Sequence, residues 1–299
     1  MTMDRSSPAP QPAEVPVGGL PERLLWPILR IFLQVNPGQV INQPGVYPET
    51  ANLHQELRAT AQQLRAQVMS SGGSTVDYQS LRSSEAYRRL RHLTNQLPDF
   101  RLELLGGEDE RRAFWINLYN TLILDSVVHF NIGGRLPLTL YQRAAYNVSG
   151  QRFSADDIEH GVLRGNRRHP LLHLHPFTAS DPRLHASLAT FDPRIHFALN
   201  CGARSCPAIR IYNSHDLDSQ LAAATTSFIR GGGADVDLQD NVVWLSKIFD
   251  WYESDFGGRK RVLALVADHL ADDRESHALR SNAVSIRYQS YDWDVNRVL

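Results

Sequence analysis

The sequence predicts an α+β fold, with N-terminal helices and a central buried helix packed on a small, mainly antiparallel sheet. Three observations lead there. Helical apolar periodicity dominates the chain up to about residue 130, whereas short β-rich segments bounded by turn signals cluster after it. Strands and helices do not alternate as a parallel α/β sheet would require, and no internal repeat is visible. With 299 residues, 42% of them hydrophobic and 21% charged, the chain can bury a sizeable core without disulfide or metal staples.

Met1 to Gly19 is rich in Pro, Ala and Ser with little to bury, so a disordered tail is expected at 1–19. It lacks the apolar core of a secretory signal. Leu20 to Val35 predicts a helix closed by Asn36-Pro37-Gly38. Its apolar part, interrupted by Pro27 and Arg30, falls short of the roughly 20 residues of a membrane span. Glu49 to Ser70 follows as a helix (Leu53, Leu57, Ala61, Leu64, Val68), which gives an N-terminal helical extension at 20–74 and an α+β domain at 75–299. These N-terminal helices offer a docking surface for a protein partner. Val76 to Leu97 reads as one helix stopped by Pro98, its Arg88, Arg89 and Arg91 forming a solvated face.

Glu108 to Phe130 is the strongest helical segment. Acidic residues occupy its first turn, and from Ala113 it is apolar nearly all round. Asn117 and Asn120, three apart, share one face and must be hydrogen-bonded if buried, either tying down a neighbouring loop or orienting a ligand or catalytic group. Tyr146 to Phe153 predicts a hairpin around Ser149-Gly150, and Ser154 caps a short helix carrying Asp156, Glu159 and His160. Further short strands are expected at Ile195 to Leu199, Ile209 to Tyr212, Val236 to Leu245 (a pair turning at Asp240-Asn241) and Ala283 to Tyr288.

The apolar run Ile195 to Leu199 ends abruptly at Asn200-Cys201-Gly202, and both cysteines, Cys201 and Cys206, lie within this stretch. A thiol at the end of a buried strand beside a glycine is where a nucleophile or metal ligand would sit; equally, unpaired Cys is a common small core residue. A Cys201–Cys206 disulfide would close only a very short loop.

Several blocks resemble the family called domain of unknown function 547: Phe114-Trp115-Ile116-Asn117-Leu118-Tyr119-Asn120, Asp157 to Arg164, His196 to Pro207, Phe249 to Gly257 and Tyr291 to Asn296. The resemblance runs from about Val76 to Asn296. It implies kinship of fold with an uncharacterised family, and by analogy with papain-like or transglutaminase-like thiol enzymes. It favours Cys201 over Cys206 as the reactive thiol, because plant members carry Ser at the position matching Cys206.

A cysteine-dependent hydrolase or acyl or peptidyl transferase would then use Cys201 as nucleophile and His160 as base, with backbone N–H groups after Gly202 as an oxyanion site. On a strand His196 would face away from Cys201, so His160 is preferred. Asp156, four residues before His160, is better placed to orient it than Glu159, which diverges by about 100°; Asn117 or Asn120 could serve instead, and Glu159 could pair with Arg164. A second reading is a zinc site from Cys201, Cys206, His196 and one of His160, His169 or His173. A third is a non-catalytic interaction module. The net charge of −1 gives no case for nucleic acid or an anionic membrane, and without a phosphate loop or dinucleotide fingerprint no cofactor is expected. A cytoplasmic protein is expected, acting on an unknown substrate of peptide or acyl type.

Overall fold

The computed structural model describes residues 15–32, 35–36, 38–43, 45–70, 72–281 and 284–298. Of the expected tail, 1–14 lie outside these residues. Residues 15–19 are docked, with Gly18 N–H donating to Phe177 O at 2.9 Å. Helix α1 (Leu20–Phe32) follows. Its Trp26 is buried and donates to His175 O, while Leu20, Leu24, Ile28 and Ile31 stay exposed.

Helix α2 (Leu53–Val68) buries Leu57, Leu64 and Val68 as its periodicity predicts. The single helix expected over Val76 to Leu97 is two: α3 (Tyr78–Ser83) and α4 (Glu85–Thr94). Ser84 breaks it, because its hydroxyl accepts the Tyr87 N–H and starts a new helix, as Asp77 does for α3. Helix α5 (Glu108–His129) is the buried centre, covered from Arg112 to Val127.

After the short α6 (Leu140–Arg143) come β1 (Ala145–Val148) and β2 (Gln151–Ser154), an antiparallel hairpin. Ser149 and Gly150, both at positive φ, make its two-residue turn. Beyond α7 (Leu217–Phe228), β3 (Ala234–Asp237) pairs antiparallel with β4 (Val242–Leu245). Helices α8 (Lys247–Trp251), α9 (Arg259–His269) and α10 (Asp273–Arg280) precede β5 (Ser285–Tyr288), which lies parallel to β4. The fold is α+β, with two small sheets in which antiparallel pairs predominate. Among the described residues no helix is long and apolar enough to cross a membrane.

Two expected strands are absent. Pro193–Phe197 is a 3₁₀ turn with Pro193 at its first position and Asp192 capping the Arg194 N–H. Its apolar residues face two ways: Ile195 enters the core around α5, and Phe197 enters a second core with Phe249, Phe256 and Val262. A short run buried on both sides carries no period that separates turn from strand. Ile209 to Tyr212 joins no sheet. Its backbone bonds go to Gly73 and to the side chains of Arg65, Asn117 and Gln220.

Candidate active site

The loop after Phe197 is held from α5. Asn120 accepts the Asn200 N–H at 2.8 Å and donates to Ala198 O at 3.0 Å. Asn200 in turn accepts the Gly202 N–H and donates to Pro207 O. Gly202 sits at φ 87°, where a Cβ would come within 3.1 Å of Ile123, so the turn demands glycine. Asn117 holds the next segment, pairing with both backbone groups of Tyr212. The two amides are therefore loop ties, and neither lines the cavity described below. Asn117→Ala should lower stability by about 1–3 kcal/mol in urea unfolding, since it strands the Tyr212 N–H and C=O; an unchanged midpoint would show those groups find other partners.

The loop also decides the state of its sulfurs. Cys201 and Cys206 are joined in a disulfide, with their Cα atoms 6.2 Å apart. Cys201 is thus not the free thiolate expected, and neither sulfur is available as a zinc ligand. His196 does not complete such a site either, because its Nε2 lies 2.9 Å from Asp255 Oδ2. The expected oxyanion site fails too. No helix starts there, and the N–H groups of Gly202, Arg204 and Ser205 go to Asn200, Asp294 and Asp292.

A cavity of about 610 Å³ opens at the seam between the two cores. Leu136 and Leu199 come from one core, Ile248 and Tyr252 from the other, and Tyr291 packs on both. Trp251, Tyr291 and Trp293 form an aromatic wall, with ring centroids 4.7–5.6 Å apart. Cys201 and Cys206 also face this space. At its polar end stand Asp156, Glu159, His160, His169 and His196.

The turn Asp157–Leu163, wound wider than an α-helix, presents this polar end. Asp157 anchors it by accepting the Ser154 N–H and hydroxyl and pairing with Arg183 at 2.9 Å. Gly161 lets Phe177 pack against the backbone; a Cβ there would lie 2.4 Å from its ring. Behind the turn, Arg164 makes a two-pronged ion pair with Asp255 at 2.6 and 3.0 Å. It does not pair with Glu159, which instead accepts the Tyr252 hydroxyl. Arg164 and His196, both hydrogen-bonded to Asp255, hold its carboxyl well below the usual range despite burial. His196 stacks on Tyr252 at 3.7 Å.

Hydrogen bonding fixes the tautomers of the two remaining imidazoles. Arg164 Nη1 lies 3.1 Å from His160 Nδ1 and can only donate, so His160 carries its proton on Nε2. His169 Nδ1 accepts the Leu171 and Leu172 N–H groups, so its proton is on Nε2 as well. Both Nε2 atoms face Asp156, at 4.0 Å from His160 and 3.8 Å from His169. The three ligand-type atoms lie within 4.8 Å of one another. A metal ion would need a lone pair from each Nε2, and these bonds leave protons there instead.

Burial pushes both imidazoles down, His160 well below its ordinary value and His169 to about 4, with the Arg164 charge adding to each. Both are neutral at pH 7. Burial pushes Asp156 the other way, up to about 7, with Glu159 contributing, although Gln142 donates to its carboxylate. The site therefore combines a carboxyl that titrates near neutrality with two neutral N–H donors.

Sequence reasoning reached Asp156, Glu159, His160, His196 and the cysteines, and His169 only as one choice of zinc ligand; it gave no role to Asp255, Tyr252 or the aromatic wall. Asp255 and Tyr252 stand in a quoted block, yet nothing in the spacing from residue 164 to 255 signals their ion pair. No curated protein and no solved structure matches the chain. A family model matches residues 103–229, short of the span of the motif resemblance, with Phe249 to Gly257 and Tyr291 to Asn296 beyond it. That segment, which holds α5, the hairpin, the His160 turn and the disulfide loop, is similar to the family described as protein of unknown function, DUF547.

Proposed function

We propose that the cavity is a hydrolytic site in which Asp156 activates a water against the ester or amide carbonyl of an apolar acyl or peptide substrate. One observation carries this reading: the Asp156 carboxylate stands between two imidazoles, Oδ1 toward His160 Nε2 and Oδ2 toward His169 Nε2, with one ligand-type atom of each residue within 4.8 Å of the others. Gaps of 3.8 and 4.0 Å are too long for direct hydrogen bonds, so the carboxylate stays open to a water between it and an imidazole. The carboxylate would take the water's proton, while an Nε2–H donor would stabilise charge on the carbonyl oxygen. The apolar wall would seat the acyl body and exclude bulk water.

This assignment differs from a thiol mechanism in its nucleophile. The Cys201 version needs the disulfide opened, and it needs His160 as a base although its free lone pair already accepts from Arg164. A cytoplasmic setting would favour opening, since disulfides rarely persist there. The test is hydrolysis of nitrophenyl esters and peptide anilides of increasing acyl length, with and without reductant. The water route predicts that longer acyl groups are better substrates and that Cys201→Ser retains activity. It also predicts that kcat/KM rises with pH through about 7 and then levels off, as Asp156 ionises. Activity confined to the reduced protein and abolished in Cys201→Ser would replace it with the thiol route. No hydrolysis of any probe would favour the interaction module.

A further inference from the structure

The environments of the two sulfurs differ. Cys206 Sγ receives the Cys201 backbone N–H at 3.0 Å and lies 3.1 Å from the Tyr291 hydroxyl, whereas Cys201 Sγ has only that hydroxyl, at 3.3 Å. A disulfide sulfur carries no proton, so Tyr291 is the donor, and burial keeps its hydroxyl protonated by raising it far above its ordinary value. Thiol–disulfide exchange goes faster when the leaving sulfur is stabilised as a thiolate. On that basis Cys206 is the better leaving group and Cys201 the sulfur to attack. Cys201 faces the large apolar cavity. Cys206 faces it too, and also borders a second cavity of about 340 Å³ where Arg204, Arg210 and Lys247 gather.

We propose that the Cys201–Cys206 disulfide is a thiol–disulfide exchange centre, in which an apolar thiol seated against the aromatic wall attacks Cys201 and Cys206 departs as the thiolate. The first thiol loses its proton to solvent, and its sulfur bonds to Cys201 Sγ as the Cys201–Cys206 bond breaks. Cys206 leaves with the electron pair, held by the Cys201 N–H and the Tyr291 O–H, and then takes up a proton. A second thiolate attacks the outer sulfur of the mixed disulfide and releases Cys201 as a thiolate, which is protonated. Two thiols are oxidised to one disulfide, and the protein disulfide is reduced to two thiols. The inference rests on the cavity and the sulfur environments rather than on the hydrolytic reading, and it is read without any hydrolysis assay.

The probe is benzyl mercaptan added to the oxidised full chain, with acid quenching at early times and blocking of free thiols by N-ethylmaleimide. Trypsin cleaves after Arg204, so the two cysteines fall on separate peptides, 195–204 and 205–210. The expected mass spectrum shows the benzylthio group on Cys201 and maleimide on Cys206. A benzylthio group on Cys206 would overturn the assignment and point to the basic cavity as the entry. Benzyl mercaptan should also react about tenfold faster than 2-mercaptoethanol, once each rate is divided by its rate with a small reference disulfide. A ratio near one would overturn the apolar seat. Trp251→Ala should lower that ratio, and Tyr291→Phe should slow both thiols about tenfold by removing the donor to the departing sulfur; an unchanged rate would overturn that role. Should either variant fail to fold, the two wild-type readouts still decide.

Discussion

Asp255→Ala is expected to lower the unfolding free energy by about 3–5 kcal/mol, measured as a fall in the urea midpoint at unchanged slope. The carboxylate is the shared partner of Arg164 and His196, and its side chain is only 2% exposed. Removing it leaves a guanidinium, itself 4% exposed, without its counter-charge. Asp255→Asn should cost less, because it still offers one oxygen to the fork. The damage should reach the site, since Arg164 is what fixes the His160 tautomer. The same pair gives a pH signature. The folded carboxyl binds its proton less avidly than the unfolded one, so its contribution is complete above about pH 4 and is lost as the pH falls below that. In Asp255→Asn this part of the acid sensitivity should disappear. A variant as stable as wild type at pH 7 would mean the pair merely offsets its own desolvation.

Asp156→Asn should lower kcat for the best ester or anilide about 10²- to 10⁴-fold, the range of a general base, with little change in KM. Its effect on stability should have the opposite sign. The folded carboxyl titrates near 7, far above an unfolded aspartate, so between about pH 4 and pH 7 stability falls as the pH rises. An amide removes that cost and keeps an oxygen for the Gln142 donor. The variant should therefore be about 1–3 kcal/mol more stable than wild type at pH 8 and gain nothing at pH 4. Loss of activity accompanied by lower stability at pH 8 would mean that the carboxylate is structurally paired and not held ready as a base.

The same sequence was transparent in some stretches and opaque in others, for local reasons. Helix α5 was legible because 22 residues of periodic and then continuous apolar character have few other solutions. The hairpins were legible at Ser149-Gly150 and Asp240-Asn241 because turn chemistry is local. Ile195 to Leu199 predicts a strand and forms a turn, because four apolar residues and a buried histidine between two cores look the same in either conformation. With that strand went the geometry that had set His196 aside. Asn117 and Asn120 were identified as amides that need partners; their partners lie 78 to 95 residues away and left no mark on the pattern. The acid–base cluster was half visible. Asp156 and His160 are four apart in one turn, whereas His169 arrives from a loop and Asp255 from beyond α8, so only the folded chain brings them together.

Residues 291–298 tie together segments that are far apart in the sequence. Trp293 O accepts from Leu136, Val295 N–H reaches Gly134 O, Asn296 N–H reaches Gly202 O, and Val76 bonds to both Asn296 and Val298. A ribosome makes this keystone after everything it locks, including the loop that bears Cys201. Until that stretch emerges from the exit tunnel, the nascent chain holds an open seam with Leu136 and Leu199 uncovered, so premature stop codons near residue 290 should yield a product that chaperones retain and proteases remove.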